Sequence, residues 1–177
     1  MRIYVASLLD YSGGMLHGRW IDLEIYADTE AVMGEIRKML DESPCATRGL
    51  GPAEDWAIHD TDDLPSGVEV GEFTSIERVC QMADIIRQVA DREVIEAVIS
   101  SVGPDFIEWE SPDFFHDRWV TKVDSVNDFL YEEFQRAHEV ADELMSYINL
   151  DRYRVDAEQD YDFVRLYAGY GVVFRNV

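Results

Sequence analysis

Two histidine–aspartate pairs are the residues of this sequence best suited to metal-dependent chemistry. His59 precedes Asp60 and His116 precedes Asp117, and imidazole nitrogens and carboxylate oxygens are common ligands of hydrolytic metal ions. These pairs keep a small metal-dependent hydrolase open as an alternative. The additional spaced ligands of such a site are missing, however, and Asp60–Asp63 is not followed by the glycine and glutamate of a calcium loop. We predict no metal site and no cofactor.

The sequence also lacks the common motifs of catalysis. It contains no dinucleotide-binding fingerprint, P-loop, zinc-protease motif or nucleophile elbow. His17 and His138 are isolated and are predicted to be structural. Cys45 and Cys80 show no metal-ligand spacing, which is typical of reduced thiols in a cytoplasmic protein. No apolar run reaches membrane length and the N-terminus lacks a signal-peptide pattern. We therefore expect a protein that is not an enzyme.

The chain is strongly acidic over most of its length. It has 37 acidic and 15 basic residues, which gives a net charge of −22. Residues 1–72 carry 15 acids and 5 bases, residues 73–103 carry 5 and 3, and residues 104–177 carry 17 and 7. Nucleic acids and anionic membranes bind basic surfaces, so neither is an expected partner. The charge instead favours basic partners, including proteins that themselves bind nucleic acid.

The segment Asp124–Ile148 has the pattern of one long amphipathic helix. It contains neither Pro nor Gly, and its apolar residues recur at helical spacing. Ser125 and Asp128 predict a cap at its start. Acids four residues apart lie about 6 Å apart along a helix axis, a spacing comparable to the charge repeat of a nucleic-acid backbone. The face opposite the apolar residues is a row of carboxylates at Asp124, Asp128, Glu132, Glu139 and Glu143.

Two interpretations of this acidic row stay open. Acidic helix faces are usually ordinary solvated surface. Ordinary surface helices, however, interleave Lys with Glu, whereas Arg136 is the only base in the segment. The row is therefore also a candidate surface for a basic partner. Glu133 lies at the edge of the apolar face, where it is predicted either to be half-buried or to face a partner chain.

The first region of the chain predicts a small antiparallel sheet with one helix across it. Apolar and polar residues alternate over Arg19–Tyr26, with Ile21, Leu23 and Ile25 on the inner side. Thr29 is the predicted cap of the helix, which runs over 30–42 and ends before Pro44. Three strands are expected, at Arg2–Leu8, Arg19–Tyr26 and Ala53–Thr61.

The rest of the chain predicts two short helices and then a mixed region. Thr74 and Asp91 are the predicted caps of these helices, and Gly103 ends the second. A strand at Arg118–Val123 precedes the acidic helix, and a helical turn and a β-hairpin follow it, at 151–159 and at Tyr161–Tyr167 with Val172–Arg175. The prediction is an α+β fold, elongated by self-repulsion and divided into three small domains: an N-terminal α+β domain (1–72), a helical middle domain (73–103) and a C-terminal α+β domain with the long acidic helix (104–177).

Three stretches of the sequence resemble the ArdA antirestriction proteins. The segments at Glu54–Pro65 (EDWAIHDTDDLP) and at Tyr170–Asn176 (YGVVFRN) are similar to later parts of the family. The strongest likeness is at the N-terminus, in RIYVASLLDYSGGMLHGRWIDL, where it is carried by Tyr4, Ala6, Ser7, Leu8, Tyr11, Gly14, His17, Gly18, Trp20 and Asp22.

The resemblance implies a specific activity. ArdA proteins come from mobile genetic elements and mimic B-form DNA. They are elongated homodimers of three small domains, and they occupy the DNA-binding groove of type I restriction-modification enzymes, chiefly the methyltransferase core with its specificity subunit. Such a function depends on a distributed surface, so no catalytic residue carries over.

Combining the charge pattern with the resemblance gives two sets of candidate residues. The predicted partner-binding surface consists of Asp22, Glu24, Asp60, Asp62 and Asp63 together with the five carboxylates of the acidic row. Candidates for dimer contact are Phe106, Phe114, Phe115, Trp119 and Glu133.

A different interpretation of the whole chain stays open. It could be a generic acidic protein from a salt-adapted organism, since Lys38 and Lys122 are the only lysines.

Overall fold

The computed structural model describes residues 1–89, 91–107, 109, 111, 113, 117–166 and 170–176. The chain divides into two compact units. Unit 1 comprises Met1–Gln88 and Trp109–Pro112, and unit 2 comprises Val89–Glu108 and Asp113–Val177. Each unit contains a three-stranded antiparallel sheet with helices, so the predicted α+β fold class is confirmed. The division into three domains stays a prediction.

Unit 1 is built on a sheet whose central strand is β1. The strands are β1 (Arg2–Ser7), β2 (Gly18–Asp22) and β3 (Trp56–Asp62), in the order β2-β1-β3. Both pairings are antiparallel, and the β1–β3 register shifts between Tyr4 and Val5. Alternate residues of a strand point to opposite faces, so one face is buried while the other keeps Arg2, Tyr4, Trp20 and Asp62.

The described residues of unit 1 form four helices. They are α1 (Leu8–Ser12), α2 (Thr29–Asp41), α3 (Pro44–Thr47) and α4 (Ile76–Val89). The core joins the sheet to α2 and α4, so the first helix of the predicted middle domain shares a core with the N-terminal sheet. Its buried members include Ile3, Val5, Ile21, Val32, Ile36, Met39, Ile76, Val79 and Ala83.

Three predictions in this unit are wrong in detail. Asp28, not Thr29, caps α2, because its carboxylate accepts a hydrogen bond from the Ala31 amide at 2.8 Å. Strand β2 ends at Asp22, whose carboxylate accepts the Glu24 amide in a turn. Ile25 consequently leaves the strand and is 72% exposed. Thr74 accepts a hydrogen bond from Gly71, and Ser75 instead accepts the Arg78 amide in the first turn of α4.

Unit 2 has a second sheet with the order β4-β6-β5. These strands are β4 (Trp119–Val123), β5 (Tyr161–Arg165) and β6 (Gly171–Arg175), and both pairings are antiparallel. Strand β6 is central and Gly171–Phe174 is buried. The predicted C-terminal hairpin and the strand before the acidic helix are therefore confirmed.

The described residues of unit 2 also form helices. They are α5 (Arg92–Val102), a 3₁₀ turn (Pro104–Phe106), α6 (Val126–His138), α7 (Asp142–Met145) and α8 (Leu150–Ala157). Asp91 caps α5 and Gly103 ends it at φ 95°, as the sequence predicts. Ser125 caps α6 by accepting the Asn127 amide at 3.1 Å.

The long acidic helix predicted over Asp124–Ile148 is wrong beyond His138. Glu139 adopts the left-handed conformation at φ 51°, ends α6 and is followed by the separate short helix α7. The Val140 amide closes this turn by donating to the Gln135 carbonyl. Carboxylates are unfavourable at the negative end of a helix dipole, and continuation would place Glu139 and Glu143 one turn apart. Apolar residues at helical spacing were therefore not sufficient to predict where the helix ends.

Candidate functional site

The predicted acids of unit 1 converge at one end of its sheet. The register places Asp22 and Asp62 directly opposite Arg2, one on each neighbouring strand. Arg2 donates to the Asp62 carboxylate from Nε at 3.1 Å and also from Nη2. The structure thus brings two short segments that are distant in sequence into one N-terminal acidic cluster, consisting of Asp22, Glu24, Asp60, Asp62 and Asp63.

Two positive groups lie inside the N-terminal acidic cluster. The α-amino group of Met1 is 3.5 Å from Glu24 and 3.8 Å from Asp63. Hydrogen bonds from Arg2 hold the pKa of the Asp62 carboxyl below its ordinary value, so Asp62 stays ionised over a wide pH range. The cluster is therefore negative on balance but partly compensated by these two positive groups.

Aromatic residues of the N-terminal motif share this outer face of the sheet. Tyr4 pairs with Trp20 on β2 and with Asp60 on β3. The rings of Tyr4 and Trp20 are 5.4 Å apart, and the Arg2 guanidinium lies 5.4 Å from the Trp20 ring. Gly18 permits this arrangement, because a Cβ at that position would lie 2.5 Å from the Val5 carbonyl oxygen and 2.7 Å from the Tyr4 ring.

In unit 2, α6 presents the uncompensated part of the predicted surface. Asp124, Asp128 and Glu132 are all exposed, and Asp128 lies in the first turn, where the helix dipole favours negative charge. Within the part of the chain that the structure describes, no basic group pairs with any of the three. We call these three residues the α6 acidic face.

The remaining two acids of the predicted row are exposed but do not continue the α6 acidic face. Glu139 forms the left-handed end of α6, and Glu143 lies on α7. Asp142, which was not in the predicted set, accepts a hydrogen bond from the Gln135 side chain across the break. Glu139 and Glu143 therefore remain exposed after the break, but they no longer lie on the same helix as Asp128 and Glu132.

Glu133 is the predicted dimer-contact residue with the clearest role inside its own unit. Its carboxylate accepts hydrogen bonds from the Tyr161 hydroxyl at 3.1 Å and from Arg136, and its side chain is 15% exposed. Burial and the neighbouring Glu133 raise the pKa of Tyr161. Glu133 is therefore half-buried within its own unit, and a contact with a partner chain stays a prediction.

The aromatic candidates for dimer contact divide into two groups. Phe106 and Trp119 meet the buried Phe174 edge-on at centroid distances of 5.3 and 5.6 Å. Both therefore pack within unit 2, and a role in dimer contact stays a prediction. Phe114 and Phe115 lie outside the described residues.

The histidine–aspartate pairs give no metal centre among the described residues. No group of three His, Cys, Asp or Glu side chains is positioned there to hold an ion. His59 meets the Tyr11 ring edge-on at 4.8 Å, and its Nε2 lies 3.9 Å from the Glu72 carboxylate. His116 lies outside the described part of the chain.

Sequence reasoning missed a buried carboxylate that joins α1 to α3. Asp10 is fully buried and accepts hydrogen bonds from the Ser43 hydroxyl at 2.6 Å and the Cys45 amide at 2.8 Å. Ser7 caps α1 by accepting the Asp10 amide at 3.3 Å. Ser-x-x-Asp at 7–10 and Ser-Pro at 43–44 are helix-start signals. They predict where each helix begins, but not that the Asp10 carboxylate contacts the start of the second helix.

A second missed network links β2 to α2. The Arg19 guanidinium donates to Glu35 and to Glu42, each at 2.8 Å, and Lys38 also pairs with Glu35. His17 Nε2 lies 2.7 Å from the Met39 carbonyl oxygen. These contacts show that His17 has the structural role that its isolation predicted, since it ties the loop before β2 to the end of α2.

Comparison with known proteins places the chain in a family. Among the described residues, no helix is both long and apolar enough to cross a bilayer. No curated protein matches the sequence. The family model described as antirestriction protein (ArdA) matches residues 3–172. That span includes the N-terminal motif, the N-terminal acidic cluster and the α6 acidic face, and the chain belongs to the ArdA antirestriction protein family.

Proposed function

We propose that this protein inhibits type I restriction-modification enzymes by mimicking B-form DNA and occupying their DNA-binding groove. Membership of an antirestriction family supports inhibition of restriction as the general activity, and that family is one of inhibitors rather than enzymes. The proposed partner is the methyltransferase core with its specificity subunit. The protein would act as a homodimer in the cytoplasm, where these enzymes meet incoming DNA.

The α6 acidic face is the observation that carries this proposal. Its three carboxylates are exposed, and the described residues supply no cation to any of them. Within α6, Asp128 and Glu132 are like charges one helical turn apart, a spacing that destabilises a helix by a few tenths of a kcal/mol, while the helix dipole offsets part of this cost at Asp128. A surface kept unpaired at that cost suits a partner that supplies the positive charge, as a DNA-binding groove does.

The total charge of a homodimer can be expressed as a length of duplex DNA. Duplex DNA carries one charge per roughly 1.7 Å of axis. A homodimer would carry twice the net charge of −22, which equals the charge of roughly 75 Å of duplex at that density. A duplex of this length is enough to fill an extended DNA-binding groove. The homodimer would therefore carry as much negative charge as the DNA that it replaces.

A displacement assay tests the proposal directly. The protein is titrated into a type I methyltransferase bound to a labelled target duplex, at two salt concentrations. We expect displacement close to one protein dimer per enzyme, because the two ligands compete for one groove. No displacement at either salt concentration would overturn the proposed function.

A matched pair of variants locates the binding surface. The test variant carries amides at Asp124, Asp128, Glu132, Glu139 and Glu143, and the control carries amides at Asp41, Glu54, Asp55, Glu69 and Asp105, which are also exposed. Both lose five charges. We expect the first to displace DNA at least tenfold more weakly than the control. Equal losses would show that net charge acts without regard to position, and no loss in the first would exclude this surface.

A further inference from the structure

Unit 1 has an apolar groove beside its charged surfaces. Its walls come from α2, β3 and the start of α4, and it encloses a cavity volume of about 370 Å³. That volume is at the lower end of the range for ligand pockets, about 300–1,000 Å³, and suits one or two side chains. Its apolar lining includes Met33, Trp56, Phe73 and Ile76. We call it the Phe73 groove.

Phe73 is held outward by the backbone on both sides of it. The ring is 75% exposed. On one side the Glu72 carbonyl accepts the Ile58 amide at 2.9 Å, which fastens the segment to β3. On the other side the Thr74 amide donates to the Gly71 carbonyl, and the Thr74 hydroxyl accepts the Gly71 amide at 2.8 Å. These hydrogen bonds fix the backbone on both sides of Phe73, and the ring is exposed in this conformation.

The charge at the Phe73 groove selects the kind of partner. The described lining residues include two carboxylates, Glu72 and Glu77, and no Lys or Arg. A cationic segment carrying an apolar side chain complements both features. Aromatic and Met residues are also enriched where protein surfaces bind each other.

We propose that the Phe73 groove binds an apolar side chain from a cationic segment of the restriction enzyme, as a contact that DNA itself does not make. This inference rests on the proposed function and adds a contact to it. Attraction between exposed charges weakens as salt is added, whereas burial of apolar surface does not depend on screening. The groove would therefore sustain binding at salt concentrations that weaken the binding of DNA.

The substitution Phe73→Ala tests the contact, with Ile25→Ala as the control. Both residues belong to unit 1 and both are largely exposed, at 75% and 72%, so neither change is expected to alter thermal unfolding. In the displacement assay we expect Phe73→Ala to weaken binding about thirtyfold, the size of an interface hot spot, by the same factor at low and high salt. Ile25→Ala should stay within twofold of the wild type.

The outcomes separate this inference from the proposed function. If the wild type does not displace DNA, both are overturned. If the wild type displaces DNA and Phe73→Ala matches it within twofold, only the groove contact is overturned. A photo-crosslinking residue at position 73 gives a second measurement on the full-length protein. We expect a cross-linked enzyme peptide containing Lys or Arg, and a cross-link only to a second copy of this chain would overturn the assignment.

Discussion

The buried carboxylate of Asp10 leads to a prediction that the structure makes quantitative. It accepts hydrogen bonds from Ser43 and from the Cys45 amide, and thereby fastens α3 to α1. Burial by itself raises the pKa of Asp10, but the hydrogen bonds from Ser43, Ser7 and Cys45 outweigh it and lower the pKa well below the ordinary 3.8. Asp10 is therefore charged in the folded protein at neutral pH.

Replacing Asp10 should cost a large part of the stability of unit 1. A hydrogen bond to a charged group contributes about 1.5–3 kcal/mol. Asp10→Asn keeps one oxygen acceptor and loses the charge, so we expect it to lower the free energy of unfolding by about 2 kcal/mol. Asp10→Ala leaves the Ser43 hydroxyl and the Cys45 amide unsatisfied and should cost about 3–5 kcal/mol.

The effect should depend on pH with a defined sign. Because the folded-state pKa is depressed, the contribution of Asp10 is complete above the unfolded value of 3.8 and is lost as the pH falls below it. The stability difference between wild type and Asp10→Asn should then shrink by about 1.4 kcal/mol per pH unit. Protonation of the other carboxylates relieves the self-repulsion of the chain and raises its stability as the pH falls. Both proteins share this effect, so it cancels in the difference between their free energies of unfolding.

Urea denaturation followed by tryptophan fluorescence measures these quantities. Trp20, Trp56 and Trp109 belong to unit 1, so the signal reports mainly on its unfolding. The exposed Asp55 supplies the control Asp55→Asn, which should change the free energy of unfolding by less than about 0.5 kcal/mol. An Asp10→Asn protein as stable as this control at pH 7, or a difference that stays constant from pH 5 to pH 3, would refute the role assigned to Asp10.

Two further predictions test local geometry. Gly18→Ala should lower the free energy of unfolding by about 1–3 kcal/mol, because its Cβ would meet the Val5 carbonyl and the Tyr4 ring; urea denaturation with unchanged stability would contradict that packing. Glu139→Gly should raise the stability of unit 2 by about 0.5–1 kcal/mol, since glycine suits the left-handed end of α6, whereas Glu132→Gly inside the helix should lower it by about 1 kcal/mol. Thermal unfolding followed by circular dichroism distinguishes the two signs, and destabilisation by both would mean that the helix continues through Glu139.

Much of the secondary structure was predictable because its signals are local. β-branched and aromatic residues predicted β1, a polar cap and a following glycine predicted α5 from Asp91 to Gly103, and apolar runs on either side of a glycine predicted the C-terminal hairpin. Each signal operates within a few residues, over which backbone conformation and burial are coupled. Membership of the family was likewise readable from motifs near both ends of the chain.

The failed prediction of one long acidic helix has a physical cause. The pattern of Asp124–Ile148 fits one helix at every turn, yet the chain ends that helix at Glu139. Apolar periodicity states which side chains prefer burial, but not whether a surface exists to bury them. Leu130 and Met145 are buried, whereas Leu144 is 55% exposed. After the break, burial therefore no longer follows the apolar face of a single helix.

The sequence by itself determined the composition of the candidate surface, since net charge, the absence of catalytic motifs and the run of acids at 124–143 require no coordinates. Tertiary structure decided which acids are compensated. Strand register placed Arg2 between Asp22 and Asp62, whereas Asp124, Asp128 and Glu132 have no basic partner among the described residues. It also decided that Glu133 turns towards Tyr161 and that Phe73 is held outward. Ion pairing and exposure depend on residues that are far apart in the chain, and only folding brings such residues together.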